Sequence, residues 1–562
     1  MKHVRFLPAL LPPLGVFLGS FLLYRLTAAR FVGWVDAAWI LTSAKNLELG
    51  VWANVHNLFN LLGFLWLKVF SGVDPHLALT ALCSLFGSLT VLGMYLAGME
   101  LTGNKTATLL GSAALAVSLS LWWHSTAIEV YTLNTALISL MFYAVLRAFR
   151  RRQPGFLCLA FFAGGLGISN HVLMGLYIIA FFFVLLPLAF RRFHLKVRYL
   201  AAFFLCYLAG AAFYAVLFFL QWLHFHTTGN QSGVGGLFHS FVQTFQYAMG
   251  GPFLQSMFTT TMGASQKFFW RWNYLFLIGL NYPSPALLFI FRGFPLLWSK
   301  KDLRPVVLFY LVGLAAQVIW SANYFIWDMY AFALPVYVML FLPLTAGLDR
   351  FLSKRRRGAL GPILLLSFLI PVVLYPCFSR WPNRENTVDR YMALYPEAER
   401  TGGIWDPAEY IFNPIKRTYR GAEIFCEGVL AVLPHGAEYW DDESKGAYPL
   451  EYYYQDILGK RRDVHINRIF GLIMNDEDAD SHARRILSQL RQRKPVFLAA
   501  LVEPQREILN RLYTLLDREA SLEEVRVMDL AAFRKSFPVY EFIDVPLPTN
   551  DSLRIYRLKK RP

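Results

Sequence analysis

Four clusters of cations interrupt an otherwise apolar chain: Arg150-Arg151-Arg152; Arg191-Arg192 with Lys196 and Arg198; Lys300-Lys301 with Arg304; and Lys354-Arg355-Arg356-Arg357. Between and before them run almost uncharged stretches such as Phe156–Ser169, Val172–Phe190, Tyr199–Leu223 and Val306–Trp320. A helix needs roughly 20 mainly apolar residues to cross the bilayer core, and loops rich in Lys and Arg stay cytoplasmic. The two rules together specify a polytopic membrane protein whose clusters all fall on one side. That topology decides which carboxylates face outward, and there the chemistry is to be sought.

Composition agrees where it bears on class. The chain is 56% hydrophobic and 16% aromatic, with a mean hydropathy of +0.40, high for a soluble domain. A net charge of +17 invites a nucleic-acid reading. The cations, however, sit in the loops and at membrane edges, which argues against nucleic acid as a partner. Of the five cysteines, Cys83, Cys158 and Cys206 lie inside apolar spans, and no spacing suggests a disulfide framework or a metal knot. Phe6–Leu26 follows Lys2 and Arg5 without an evident small-residue cleavage site and reads as a retained signal anchor.

Hydropathy and loop charge give about eleven spans from a cytoplasmic amino terminus. A long outer loop, Arg30 to His76, holds an amphipathic stretch (Asp36–Leu49) and an apolar piece (Leu58–Phe70) too short to cross. The later spans read as Leu77–Gly98, Ala107–Leu121, Glu129–Phe149, Phe156–Ser169, Val172–Phe190, Tyr199–Leu223, Trp272–Phe291, Val306–Trp320, Tyr330–Leu348 and Leu360–Cys377. The expected organisation is a transmembrane domain over residues 1–378 and an extracytoplasmic α/β domain over 379–562. The latter rests on alternating helix-like and strand-like runs: Ala422–Leu433, Ala437–Trp440, Tyr448–Leu458, Asp463–Ile466 and a terminal strand Leu553–Leu558. Such alternation implies a partly parallel sheet, and without a glycine-rich turn after a strand no dinucleotide site is expected.

Three carboxylates and three histidines fall at outer membrane ends: Asp36, Glu129 and Asp328, with His56, His124 and His171. Ionisable groups at membrane depth are costly and mark function by default. For Asp36 and Glu129 the competing reading is a helix-start carboxylate facing the dipole; for Asp328 it is an ordinary loop carboxylate, and for each histidine a hydrogen-bonded structural role. Convergence of all six on one leaflet favours function. Lys267 and Arg271, four apart at the outer start of a span, share a helix face. They suit a lipid phosphate, against the competing reading of interfacial snorkelling.

The blocks Gly33–Trp39, Ser125–Leu137, Gly165–His171 and Ile326–Tyr337 resemble the protein-O-mannosyltransferase-like membrane proteins of the GT-C superfold, and Trp440–Val464 is a weaker echo. The resemblance implies a GT-C-like helical membrane domain, a polyprenyl-phosphate-linked sugar (mannose among the candidates) and a hydroxyl acceptor on protein or glycan. It places the catalytic aspartate of the first outer loop at Asp36. The chain departs from the family pattern where Ala37 follows Asp36 in place of a second carboxylate, and where Val55-His56-Asn57 lacks prolines.

Chemically, a hydroxyl is a weak nucleophile near neutral pH, so a carboxylate must take its proton during attack on the anomeric carbon. Asp36 is the expected base. Glu129 joins it as a second catalytic candidate that orients the acceptor or holds a metal. His56, His124, His171, Lys267, Arg271 and Asp328 are the expected substrate-binding residues, with the two cations meeting the departing phosphate. The sequence names no metal ligands and neither requires nor excludes a divalent ion. Membrane lipids are the remaining partners. Two other classes compete: a lipid-carrier transporter, against which stand the absence of inverted halves and of paired broken helices near mid-membrane, the charges of this chain lying at outer ends instead, and an assembly protein that binds through its outer domain.

Overall fold

The computed structural model describes residues 7–34, 36–52, 55–228, 233–248, 264–324, 329–353, 357–379, 407–441, 446–468, 476–499, 512, 514–529 and 552–561. The chain divides into two compact units, one of residues 1–28, 44–74 and 78–374, the other of residues 29–43, 75–77 and 375–562.

The first unit is a bundle of apolar helices. Eight helices among the described residues are long and apolar enough to span a membrane, and up to ten if two bent pairs each count as one. Ten of the eleven spans expected from hydropathy correspond to these eight helices and the two pairs; the eleventh, Phe156–Ser169, forms the 13-residue helix Phe156–Ile168, below the spanning length. In the outer loop, the apolar piece judged too short to cross forms the 13-residue helix Asn57–Val69.

Two departures have clear local causes. The span expected at Trp272–Phe291 is a pair of helices, Ala264–Asn281 and Ala286–Ser299, bent by 104° between Tyr274–Asn281 and Ala286–Ser299. Between them lie Pro283 and Pro285, which lack N–H donors and clash with a preceding turn, so no helix continues through them. The span expected at Ala107–Leu121 is likewise two helices, Lys105–Ala116 and Leu119–Thr126, bent by 60°. Ser118 begins the second helix from an extended conformation. The polar segment after His224 also forms a helix over Gly233–Ala248 that composition did not announce.

Helices approach closely where glycines remove side chains. A Cβ on Gly165 would collide with the backbone of Tyr207 and Ala211, and one on Gly210 with that of Phe162 and Leu166. Phe156–Ile168 and Arg198–Thr228 therefore cross backbone to backbone, the small-residue contact that substitutes for hydrophobic drive inside lipid. Gly293 against Pro343 and Gly347 against Phe289 make the same contact between Ala286–Ser299 and Phe341–Leu352.

Described members of the cationic clusters gather at one end of the bundle. Buried Glu100 accepts from Arg147 at 2.9 Å and Arg151 at 3.0 Å. Arg192 meets Asp302 at 3.5 Å, Asn104 donates to Asp349 at 3.0 Å, and Lys300 lies within electrostatic reach of Asp349 and Arg150. Lys354, Arg355 and Arg356 lie outside the described residues.

The second unit carries a five-stranded sheet of order β2-β1-β3-β5-β4: β1 Glu438–Asp441, β2 His465–Arg468, β3 Val496–Ala499, β4 Ala520–Asp529 and β5 Ser552–Lys560. β1 runs parallel to β2 and β3, pairing Tyr439 with Ile466 and with Phe497. β5 is antiparallel to β3 and to β4. The described helices Gly421–Val432 and Asp476–Arg491 complete the expected alternation, while β4 had no sequence reading of its own.

Candidate active site

Tyr131 starts the 21-residue helix Tyr131–Arg151, and the three histidines gather around it. Its ring lies 5.5 Å from His124 and 5.3 Å from His171, and His171 stacks on His56 at 5.3 Å. Phe332 closes the cluster, 5.5 Å from Tyr131 and 6.0 Å from His171. The four polar rings come from four places in the chain. His124 lies in the Leu119–Thr126 helix, Tyr131 starts the next, His56 precedes the Asn57–Val69 helix, and His171 follows Phe156–Ile168.

Hydrogen bonds fix the histidine tautomers. His56 Nδ1 lies 3.0 Å from the Asn170 carbonyl, an acceptor, so Nδ1 carries the proton and the neutral ring keeps its lone pair on Nε2. The Leu173 N–H donates to His171 Nδ1 at 3.2 Å, so neutral His171 carries its proton on Nε2. His124 Nδ1 donates to the Ser120 carbonyl at 2.6 Å. Leu58 N–H donates to Ser169 O at 2.9 Å, pinning the His56 segment along the same turn. Burial pushes His56 down to about 4, the Asn170 carbonyl opposing; burial and the neighbouring His56 hold His171 well below the usual range. Both rings are neutral at pH 7 and supply directional hydrogen bonds rather than charge.

Glu129 is half-buried in the bend just before Tyr131. Its backbone is tied to Cys83, which donates to Glu129 O at 3.4 Å and accepts from Glu129 N–H at 3.5 Å. Lys267 and Arg271 do lie on one helix, Ala264–Asn281, Lys267 half-buried and Arg271 exposed. Arg271 Nη2 donates to Asn323 Oδ1 at 2.7 Å. The next residue, Tyr324, packs on Phe332 at 4.7 Å, which leads to Tyr131 and His171. Arg271 thus connects to the histidine cluster through Asn323, Tyr324 and Phe332. Asp328 lies outside the described residues.

Asp36 belongs to the second unit. It is half-buried at the amino-terminal cap of the helix Ala37–Asn46, its carbonyl accepting from Ile40 N–H at 2.8 Å. Buried Trp34, two residues earlier, anchors the loop. Its indole N–H donates to the Tyr419 hydroxyl at 3.0 Å, its carbonyl accepts from Tyr410 at 3.3 Å, and its ring packs on Phe425 at 5.3 Å. Lys416 lies in the same nest, its ammonium donating to the Tyr410 carbonyl and standing 4.7 Å from the Tyr410 ring. Burial pulls it down to about 7, with Glu409 opposing.

Tyr131, Asn170 and Phe332 were not among the residues expected from sequence. The signal was present, because each falls inside a block that resembles the family. Among the described residues, no group of three His, Cys, Asp or Glu side chains is placed to hold a metal.

Residues 56–196 match the family model of the protein O-mannosyl-transferase TMEM260 N-terminal domain. The structure of ArnT from Cupriavidus metallidurans bound to undecaprenyl phosphate is similar with a TM-score of 0.53 at 12% identity, over 98% of this chain and 98% of that one. Its apo form gives 0.50 at 13% identity over the same shares. No curated protein matches the sequence. The chain thus shares the fold of the ArnT membrane protein and, over one segment, resembles a protein O-mannosyl-transferase domain. The similarity to the amino-terminal domain of TMEM260 is confined to residues 56–196.

Proposed function

We propose that the protein transfers a sugar, mannose being the first to test, from a polyprenyl-phosphate carrier to a hydroxyl on a protein or glycan at the extracytoplasmic face. The observation that carries this reading is the matched segment, residues 56–196. It contains His56, His124, Glu129, Tyr131, Asn170 and His171, the groups of the aromatic cluster and the carboxylate beside it. The similar ArnT structure, which holds undecaprenyl phosphate, supports a polyprenyl-phosphate carrier. In the reaction the acceptor oxygen attacks the anomeric carbon while the carbon–oxygen bond to phosphate breaks. The lipid phosphate leaves with the electron pair, and the hydroxyl proton passes to Asp36. Lys267 and Arg271 meet the departing phosphate, where fixed positive charge is worth most as negative charge develops. Glu129 orients the acceptor. His56, His124 and His171 hold substrate hydroxyls.

Asp36→Asn is the decisive test. Asparagine caps a helix about as well as aspartate, so the fold of Ala37–Asn46 survives, but the amide cannot take the proton. Transfer from a purified mannosyl carrier should fall by about 10²–10⁴ with the melting temperature unchanged. Parental activity in Asp36→Asn moves the base to Glu129, where Glu129→Gln is the next variant. Parental activity in both removes the mechanism. For orientation, a reporter that works only in the cytoplasm, fused after Pro562, should be silent; a strong signal places the second unit inside.

A further inference from the structure

Beside the His56–His171 pair lies a cavity of about 190 Å³ that shares His171 with the reaction above and whose other walls that reaction leaves unassigned. Its walls come from the outer loop (Trp52, Val55), the turn after Phe156–Ile168 (Asn170, His171, Val172) and the helices carrying Tyr214, Phe218 and Phe245. The Gly165–Gly210 crossing creates it. With those backbones in contact, the next turns outward carry Asn170 on one side and Tyr214 on the other. Tyr214 is steadied by donating to Val51 O at 3.4 Å.

The polar groups of this cavity are incompletely used. Asn170 is 2% exposed, its Nδ2 donates to Val130 O at 3.3 Å, and its Oδ1 has no hydrogen-bond partner among the described residues. An unmet buried acceptor costs about 1–3 kcal/mol unless something fills it. The neutral His171 ring, proton on Nε2, adds a donor to the same wall. The rest is aromatic and aliphatic. A pyranose has this mixed character: C–H faces that pack on aromatic rings, and a rim of hydroxyls that donate and accept. An isoprenoid tail would fill the apolar walls and leave Asn170 Oδ1 unmet. The volume is on the scale of a single sugar ring.

We propose that this cavity is a pyranose-binding subsite, with a sugar hydroxyl donating to Asn170 Oδ1 and a sugar face packed on Phe218, Phe245 or Trp52. The assignment rests on the glycosyltransferase reading above, and it makes Asn170 a specificity-determining residue. The pyranose is the donor sugar or a sugar of a glycan acceptor, a distinction the experiment makes.

The test uses the full chain in nanodiscs and three probes: mannosyl-phosphoryl-undecaprenol, undecaprenyl phosphate, and methyl α-mannopyranoside. Two variants are compared with the parent. Asn170→Leu removes the acceptor, and Ala248→Phe fills the cavity from a separate helix, which preserves the test if the first variant melts early. If the donor sugar occupies the cavity, both variants bind the mannosylated lipid about tenfold more weakly and the bare lipid as the parent does. If a glycan acceptor occupies it, the loss appears with the soluble mannoside while both lipids bind as before. The subsite is overturned if both variants bind every probe like the parent, or if bare and mannosylated lipid weaken equally, which would make the cavity a tail site. A parent that binds neither lipid, yet binds the mannoside in an Asn170-dependent way, removes the lipid-linked donor and keeps the subsite.

Discussion

The two ends of the first unit solve the problem of polar groups in a membrane protein differently. At the cationic end the buried carboxylate, Glu100, is matched by two guanidinium groups, and Asp302 and Asp349 meet Arg192 and Asn104; Arg147 Nε is the one buried atom of these groups without a partner among the described residues. At the histidine end, buried polar atoms are left open: Asn170 Oδ1, Thr132 Oγ1 and both amide atoms of Asn134 have no partner among the described residues. Tyr131 and Asn134 are three apart on one helix, so the open amide lies a turn below the centre of the ring cluster. Partnered charge ties helix ends to one another. Unmet hydrogen-bonding capacity, held in place by packing, is what a substrate can use. On the function proposed above, the contrast would separate an end that holds the fold from an end that binds, and each experiment below asks whether that separation is real.

The largest effect should come from pH at the histidine end. His56 sits at about 4 in the folded protein, against an ordinary histidine near 6.5. As pH falls through 6.5 the unfolded chain binds the proton first, so stability is fully present above 6.5 and is lost between 6.5 and 4. The loss reaches about 3 kcal/mol for His56 if its ring is fully shielded. The melting temperature in nanodiscs should drop across that window, and His56→Gln should shrink the drop. An equal drop in that variant would show that His56 is not the group being protonated, and the histidine end would lose its claim to special status.

Next comes the cationic pair that belongs to the histidine end. Lys267→Gln with Arg271→Gln should weaken binding of undecaprenyl phosphate about tenfold, the scale of charge-assisted bonds discounted for an exposed arginine. Folding should be retained, because both side chains leave from one exposed to half-buried face. Unchanged lipid affinity would reduce them to interfacial anchors and leave Arg271 with its Asn323 bond alone.

How far the sequence revealed this arrangement depended on the type of signal. Charge clusters and apolar length located the spans, because bilayer thickness and the cost of burying charge act on local composition. They did not reveal the bend after Asn281, although Pro283 and Pro285 announced it; averaging hydropathy over a window hides two residues that act through backbone geometry. The three histidines were legible as a group, since topology alone puts them at one membrane end. Tyr131 and Asn170 were not. Their importance arises from contacts between segments far apart in sequence, Tyr131 with His171 and Asn170 with His56, and no periodicity encodes such pairs. Asp36 was legible as a loop carboxylate. That its loop is anchored through Trp34 to Tyr410, Tyr419 and Phe425, some 380 residues later, required the fold.

The smallest effect tests the cationic end from its own side. Glu100 is 6% exposed, whereas Arg147 and Arg151 are 33% and 61% exposed. Glu100→Gln removes the charge at nearly constant volume. The arginines can then turn toward the aqueous face, so the penalty is not that of a stranded buried cation; about 1 kcal/mol of stability should be lost, the scale of ion pairs with one solvated partner. A fall of a few degrees in melting temperature is expected, with undecaprenyl-phosphate affinity and transfer rate at parental values. The contrast between the ends predicts that dissociation of stability from activity. If Glu100→Gln instead lowers transfer as strongly as it lowers stability, the cationic end is coupled to the chemistry through the Tyr131–Arg151 helix that joins them, and the division of labour drawn from the two ends does not hold.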